Sequence, residues 1–176
     1  MELWTVIGAV SRVVHIVSSV CWAGGAFVQF LFIEPTVKAA GPEGNKFMQQ
    51  LMSRSRFGSF MSTASTLTVL SGVLLVWYRS GGNVLAWAQT GPGLALALGA
   101  LTGITVFLIG MFGIRPRAIQ ISQLGTQIQT AGGPPTTFQV TQLQKLSAEM
   151  SRLGLIDFVL VSLALLLMVT ARYWQF

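Results

Sequence analysis

The chain has 176 residues, of which 52% are hydrophobic and only 9% are charged. Four long apolar stretches and their connections take up nearly all of this length, so we expect one membrane domain, residues 1–176, and no separate soluble domain. The formal net charge is +6. Because eight of the eleven basic residues lie in two of the connections between the apolar stretches, this charge indicates membrane orientation and argues against a nucleic-acid partner.

Each apolar stretch is about the ~20 residues that a helix needs to cross the hydrocarbon core of a bilayer. We therefore predict an all-α integral membrane protein, a four-transmembrane-helix bundle in the lipid bilayer. The approximate spans are 13–33, 57–78, 93–114 and 154–172. No positively charged leader precedes the first stretch and no small-residue cleavage site follows it, so we expect a retained helix and not a cleaved signal.

The basic residues predict the orientation of these spans. Most of them lie between spans one and two or between spans three and four, namely Lys38, Lys46, Arg54, Arg56, Arg115, Arg117, Lys145 and Arg152. The remaining three, Arg12, Arg79 and Arg172, fall near the opposite ends of the spans. The positive-inside rule then predicts cytoplasmic connections and both termini outside the cytoplasm.

Polar side chains recur along one side of the first span. Arg12, His15, Ser19 and Trp22 alternate at spacings of three and four, which is the spacing of one helix face. A polar stripe in a membrane helix should face protein or water, because lipid cannot satisfy its hydrogen bonds. We predict a cofactor-binding site at these four residues, with His15 as the metal ligand.

His15 is the chain's single histidine, so one chain cannot supply two imidazoles. A b-type haem could take His15 together with a methionine, an open or water-filled position, or the His15 of a second copy. Arg12 could then pair with a propionate, and Trp22 could pack against the ring. Copper bound by His and Met, a quinone, and a purely structural, hydrogen-bonded His15 remain as alternatives.

The next two spans predict how the helices pack. Span two is rich in hydroxyl side chains that can bond to their own helix or to a neighbour, namely Ser59, Ser62, Thr63, Ser65, Thr66, Thr68 and Ser71. In span three, Ala95, Gly99, Gly103 and Gly110 recur at spacings of four, four and seven. Small residues on one face allow close approach of helix backbones, which is how helices associate in lipid.

The two inner connections share an order of turn residues. Ile33-Glu34-Pro35 and Ala40-Gly41-Pro42 in the first correspond to Ile114-Arg115-Pro116 and Ala131-Gly132-Gly133-Pro134 in the second. This pattern favours two tandem helical hairpins derived from one unit, with coincidence as the alternative. The second connection is longer and predicts a protruding cytoplasmic helical hairpin, with a capping box at Thr136 and Gln139.

Asp157 is the costly charged group of the fourth span, about one turn from its cytoplasmic end. We predict an ion pair with Arg54, Arg56 or Arg115 that stabilises the bundle. A proton-relay role would need a second acid or a histidine nearby, and Glu34 at the exit of span one is the other candidate.

With His15, Trp22-Ala23-Gly24-Gly25, Phe27, Pro35 and the arginine-rich entry to span two, the first hairpin resembles copper-resistance-D-like and related bacterial four-helix inner-membrane proteins. The resemblance implies a multi-pass protein of the bacterial inner (plasma) membrane that takes part in copper handling or in redox and haem chemistry. A related haem-pathway family also has a histidine followed by Trp-x-Gly in its first span. The lack of further histidines departs from both, so that only His15 is carried over.

No hydrolytic triad, P-loop, dinucleotide fingerprint or HExxH motif occurs, so we do not expect enzymatic turnover by this chain alone. One hypothesis is a membrane protein that binds haem b for electron transfer, or copper or a quinone in its place. The other is a non-catalytic structural or assembly subunit of a larger membrane complex, or a copper transporter. A homo-oligomer is compatible with either.

Overall fold

A computed structural model describes residues 3–53 and 55–175, which form helices and turns without any strand. The α-helices in chain order are α1 (Leu3–Val28), α2 (Glu34–Ala40), α3 (Pro42–Ser53), α4 (Phe57–Ser80), α5 (Val84–Ala88), α6 (Gly91–Leu108), α7 (Arg115–Ala131) and α8 (Thr137–Thr170). A 3₁₀ turn, Ala171–Tyr173, follows α8.

Four helical runs are long and apolar enough to cross a membrane: Leu3–Ala40, Phe57–Ser80, Gly91–Ala131 and Thr137–Tyr173. The predicted all-helical class and the four long apolar helices are thus confirmed for the described residues. Each run contains one predicted span and extends beyond it. The longest α-helix, α8, has 34 residues, because the apolar stripe of the hairpin arm continues without a break into span four.

Two π-helical turns keep long runs continuous through a proline. The first π turn, Gln29–Ile33, joins α1 to α2, and the second π turn, Ile109–Ile114, joins α6 to α7. Pro35 and Pro116 follow directly, each at the second residue of the next α-helix. A proline ring in a regular α-helix clashes with the carbonyl four residues earlier. The wider π turn accommodates that ring, so the helix does not end.

The described residues fall into two compact units. The first unit comprises residues within 1–25, 61–107 and 159–176, and the second unit comprises residues within 26–60 and 108–158. In the first unit, α1 packs closely on α4 through glycines. A Cβ on Gly8 would lie 2.6 Å from the Tyr78 ring, and one on Gly25 would lie 2.5 Å from Met61 Sδ.

Small residues also set the contact between α6 and α8 in the first unit. Ala95 and Val106 are fully buried, and Gly99 is buried against Met168. A Cβ on Gly99 would lie 2.9 Å from Met168 Cγ, whereas one on Gly103 or Gly110 would meet nothing within 4 Å. The packed face therefore includes the first two members of the predicted small-residue stripe and continues through Val106.

In the second unit, α3 lies against α7. The Gln129 side-chain amide donates to Gln49 Oε1 at 2.9 Å, and Gly125 leaves room for the Gln49 side chain. The predicted capping box is confirmed, since the Thr136 N–H donates to Gln139 Oε1 and the Gln139 N–H donates to Thr136 Oγ1. Gly132, with a φ of 66°, ends α7 as the predicted turn requires.

Arg117 of α7 and Glu149 of α8 connect the two arms of the hairpin. Arg117 Nε donates to Glu149 Oε2 at 2.7 Å. This hydrogen bond is the main reason that the pKa of Glu149 lies below its ordinary value of 4.5; the charges of Arg117 and Lys145 act in the same direction, and desolvation opposes them.

We predict that Gly99→Ala lowers the melting temperature of the protein in detergent relative to Gly103→Ala. Overpacking a close contact costs about 1–3 kcal/mol, while alanine improves helix propensity over glycine by about 0.5–1 kcal/mol. Gly103→Ala has the second effect without the first and serves as the control. Equal melting temperatures for the two variants would contradict the packing of Gly99 on Met168.

We also predict that the arms of the hairpin loosen in acid. The pKa of Glu149 is lower in the folded protein than in the unfolded chain. The stability that ionised Glu149 contributes is therefore fully present at pH values above the unfolded pKa, and it is lost as the pH falls through the folded pKa. The difference in melting temperature between wild type and Glu149→Gln should therefore shrink below about pH 4.5. A difference that is unaffected by both pH and salt would rule this ion pair out as a stabilising contact.

Candidate functional site

The buried face of α1 contains His15 and Trp22, as the polar stripe predicts. Its other members are Ser11 and Ser18, and not the predicted Arg12 and Ser19. Ser11, Ser18 and Trp22 are buried, and His15 is half-buried among them. Their spacings of four, three and four follow one face of the helix. This face continues the line of Gly8 and Gly25 that packs on α4.

His15 forms a hydrogen bond across this contact to the main chain of α4. Its Nδ1 lies 2.9 Å from the carbonyl oxygen of Thr68, and Ser71 Oγ lies 3.5 Å from the same nitrogen. A carbonyl oxygen can only accept, so Nδ1 must carry the proton in this bond. In the neutral imidazole, Nε2 is then the nitrogen with the free lone pair.

Gly72 makes this bond possible. A Cβ on Gly72 would lie 3.0 Å from His15 Cε1 and 3.2 Å from Nδ1, a distance at which the ring would have to move. The imidazole therefore lies directly on the backbone of α4, within reach of a carbonyl that is already part of the helix. A glycine in the middle of an apolar helix was the sequence signal for this close approach.

Thr68 also joins the two helices through its side chain. Its hydroxyl lies 2.9 Å from Ser18 Oγ and 2.8 Å from the Ala64 carbonyl, and Ser18 Oγ in turn donates to the Val14 carbonyl at 2.7 Å. Most other hydroxyls of α4 bond back to their own helix, as those of Ser65 and Thr66 do to Ser62. Thr68 thus holds α1 through both its carbonyl and its hydroxyl.

The imidazole is arranged as metal-ligating histidines usually are. In such sites one ring nitrogen donates to a carbonyl or carboxylate, which fixes the tautomer and the ring orientation and leaves the other nitrogen for the metal. His15 Nε2 has no hydrogen-bond partner among residues 3–53 and 55–175. The same residues include no group of three His, Cys, Asp or Glu side chains that could hold a metal ion.

The other predicted site residues lie at different depths. Trp22 is buried two turns from His15, Ser19 is half-buried, and Arg12 is exposed one turn toward the N-terminus. The structure thus brings His15 and Trp22 onto the buried face and leaves Arg12 and Ser19 at its margin. Met61 packs at Gly25, about 15 Å along α1 from His15 at 1.5 Å per residue, and is not positioned to be its axial partner.

Asp157, in the second unit, is buried and pairs with neither of the two predicted partners that the structure describes. It is 9% exposed and forms no salt bridge with Arg56 or Arg115. The Arg115 guanidinium contacts Met111 Sδ of its own helical run at 4.0 Å. The third predicted partner, Arg54, lies outside the described residues.

Comparison with protein-family models, with curated proteins and with solved structures gave no match to this chain. The resemblance to copper-resistance-D-like proteins therefore stays a prediction.

We predict that Gly72→Ala displaces the His15 ring and breaks its bond to the Thr68 carbonyl. The chain has one histidine, so ¹⁵N-histidine labelling gives a single pair of ring resonances. Wild type should show a protonated Nδ1 and an unprotonated Nε2, and Gly72→Ala should change this pattern. Gly24→Ala is the control, because a Cβ there would meet nothing within 4 Å; a wild-type ring with protonated Nε2 would contradict the assignment.

Proposed function

We propose that the chain is a multi-pass membrane protein that holds haem b through Nε2 of His15. The membrane part of this proposal is supported by the four long apolar helices. The distribution of basic residues supports cytoplasmic inner connections, with both termini outside. The resemblance of the first hairpin supports the bacterial inner membrane.

The hydrogen bond from His15 Nδ1 to the Thr68 carbonyl carries the haem proposal. It directs the proton to Nδ1, leaves Nε2 with its lone pair, and fixes the ring on a rigid helix. An imidazole prepared in this way is a suitable axial ligand for iron.

The donor set favours haem over a bare metal ion. A copper or zinc ion needs two to four protein ligands. The described residues include no group of three His, Cys, Asp or Glu side chains that could hold one, so a copper site would have to combine His15 with methionine. A porphyrin brings four nitrogens of its own, so one imidazole is enough to anchor it. Haem therefore needs fewer protein ligands from this chain than copper does.

Two further side chains fit the ring's other needs. Arg12, exposed and one helical turn from His15, can neutralise a propionate near the membrane boundary. Trp22 supplies an apolar wall on the same helix face. Haem would supply a one-electron redox centre when bound, with His15 as the residue that holds its iron.

The structural alternative is supported by the same hydrogen bond. Together, the His15 contact and the link between Ser18 and Thr68 join α1 to α4, and this function needs no ligand. A scaffold or assembly subunit would use both contacts and leave Nε2 unused.

The absorption spectrum of the purified protein, titrated with haemin in detergent, separates these functions. We expect a Soret band that saturates at one haem per chain, or at one haem per two chains if two copies share the iron. His15→Ala should lose the band. Thr68→Val is the matched control, because it removes the hydroxyl but keeps the carbonyl that accepts from His15.

Arg12→Gln should weaken haem binding without abolishing the Soret band, since it removes a propionate partner and not the iron ligand. If His15→Ala binds haemin as well as wild type, the haem proposal is wrong. If, in addition, His15→Ala lowers the melting temperature, the imidazole serves packing alone.

A further inference from the structure

Among the acidic side chains that the structure describes, Asp157 differs from the other three. Glu34, Glu43 and Glu149 each accept a hydrogen bond from a basic side chain at 2.7 Å. Asp157 is nine-tenths buried and has neither a hydrogen bond nor an ion pair with any described residue. Among the four described acids, the one with the least access to water is therefore the one without a partner in the described part of the chain.

The contacts of its neighbours place Asp157 on the inward side of α8. Leu153 lies against the second π turn, with Cδ1 3.4 Å from where a Cβ on Gly113 would be. Gly154 faces Phe30 and Glu34, and Phe158 stacks on Phe30 at 4.7 Å. At about 100° per residue, Asp157 falls between the directions of Leu153 and Gly154, and hence between the two π turns.

A carboxylate charge is costly in such surroundings, because neither lipid nor aromatic rings can solvate it. A protonated carboxyl group is neutral and needs only an acceptor. Among the described residues of the second unit, Gln29 Oε1 is a buried acceptor without a donor. A bound proton would remove the cost of the Asp157 charge.

Glu34 provides a connection to water. Its side chain is 20% exposed and its Oε1 accepts from Lys38 Nζ, while its Oε2 is directed at Gly154, 3.5 Å from where a Cβ would be. Gly154 precedes Asp157 by three residues, which is less than one turn of the same face. Glu34 is thus the second acid that a proton relay needs.

We propose that Asp157 is a reversible proton-binding site that exchanges with water through Glu34. In the loading step, the Glu34 carboxylate takes a proton from a hydronium ion on the hairpin side, which becomes water, and passes the proton to the Asp157 carboxylate. Glu34 returns to its ionised form, paired with Lys38, and Asp157 becomes the neutral acid. No redox partner is needed, and His15 takes no part.

The other charged groups of the packed elements are engaged elsewhere or exposed. On α3, Glu43 pairs with Lys46, and between the arms of the hairpin Arg117 pairs with Glu149. The Arg115 guanidinium contacts Met111, and Arg56 and Arg152 are exposed. Among the described charged groups, Glu34, which is paired with Lys38, is therefore the one that can exchange a proton with Asp157.

A hydrophobic carbodiimide tests the site in the full-length protein. Dicyclohexylcarbodiimide reacts with protonated carboxyl groups in apolar surroundings to give a stable N-acylurea, which mass spectrometry locates in the sequence. We expect label on Asp157 at neutral pH and none on Glu149, which is ionised and paired with Arg117. Asp157→Asn should lose the label, while wild type alone suffices if that variant does not fold.

Infrared spectroscopy gives an independent readout. Wild type should show the C=O band of a protonated carboxyl group that is absent from Asp157→Asn. Glu34→Gln should slow the deuterium shift of that band, and Glu43→Gln, which removes an exposed acid paired with lysine, should not. Exchange at the wild-type rate in Glu34→Gln would overturn the proposed entry route.

Absence of both the label and the infrared band would overturn the proton site itself. So would equal losses of melting temperature in Asp157→Asn and Arg54→Gln, with no further loss in the double variant, because that result identifies Arg54 as an ion-pair partner. Retained stability in Asp157→Asn supports the proposal, since asparagine is a neutral replacement for the protonated acid.

Discussion

A polar group within an apolar helix must find its hydrogen bonds inside the protein, and this constraint explains most of the side-chain geometry described above. His15 meets it by bonding to a main-chain carbonyl of α4, at 2.9 Å. This hydrogen bond places the proton on Nδ1 and so leaves the lone pair of Nε2 available. It also requires the ring to lie against the backbone of α4, where only a glycine at position 72 leaves room for it. The candidate haem ligand is therefore a consequence of how one imidazole is satisfied between two helices. A different acceptor, such as water, would leave both the ring orientation and the tautomer free.

The sequence predicts the helices and their turns because the relevant signals are local. Apolar length gives the four runs, Gly132 ends α7, and Thr136 with Gln139 caps α8. The site is less predictable, because its acceptor is a carbonyl that every residue carries and only the packing of α1 on α4 selects Thr68. The same packing favours Ser11 and Ser18 over Arg12 and Ser19. The sequence also predicts an arginine partner for Asp157, because it reveals the cost of a buried charge, but it does not reveal which arginines pack beside it; neither Arg56 nor Arg115 forms that pair.

The two π turns bear on the proposed duplication. Each ends directly before the pair of residues whose second member is proline, Glu34-Pro35 in one case and Arg115-Pro116 in the other. A proline alone would kink or end an α-helix. At both places a π turn precedes the proline and keeps the helix continuous. The two connections differ elsewhere: bends at Ser55 and Arg56 separate α3 from α4, whereas α8 runs through the corresponding region as one helix. This recurrence is more specific than the matching of glycines and prolines in turns.

Each unit contains one functional group that the chain itself leaves incomplete. In the first, the hydroxyls of Ser18, Thr68 and Ser71 are all bonded, and His15 Nε2 has no partner among the described residues. In the second, three of the four described acids are paired, and Asp157 has no such partner in the part of the chain that the structure describes. The lone pair of His15 Nε2 and the carboxyl group of Asp157 are therefore both open to a group from outside the chain. We interpret them as positions for groups that come from outside the chain, an iron for the lone pair of His15 and a proton for the carboxylate of Asp157.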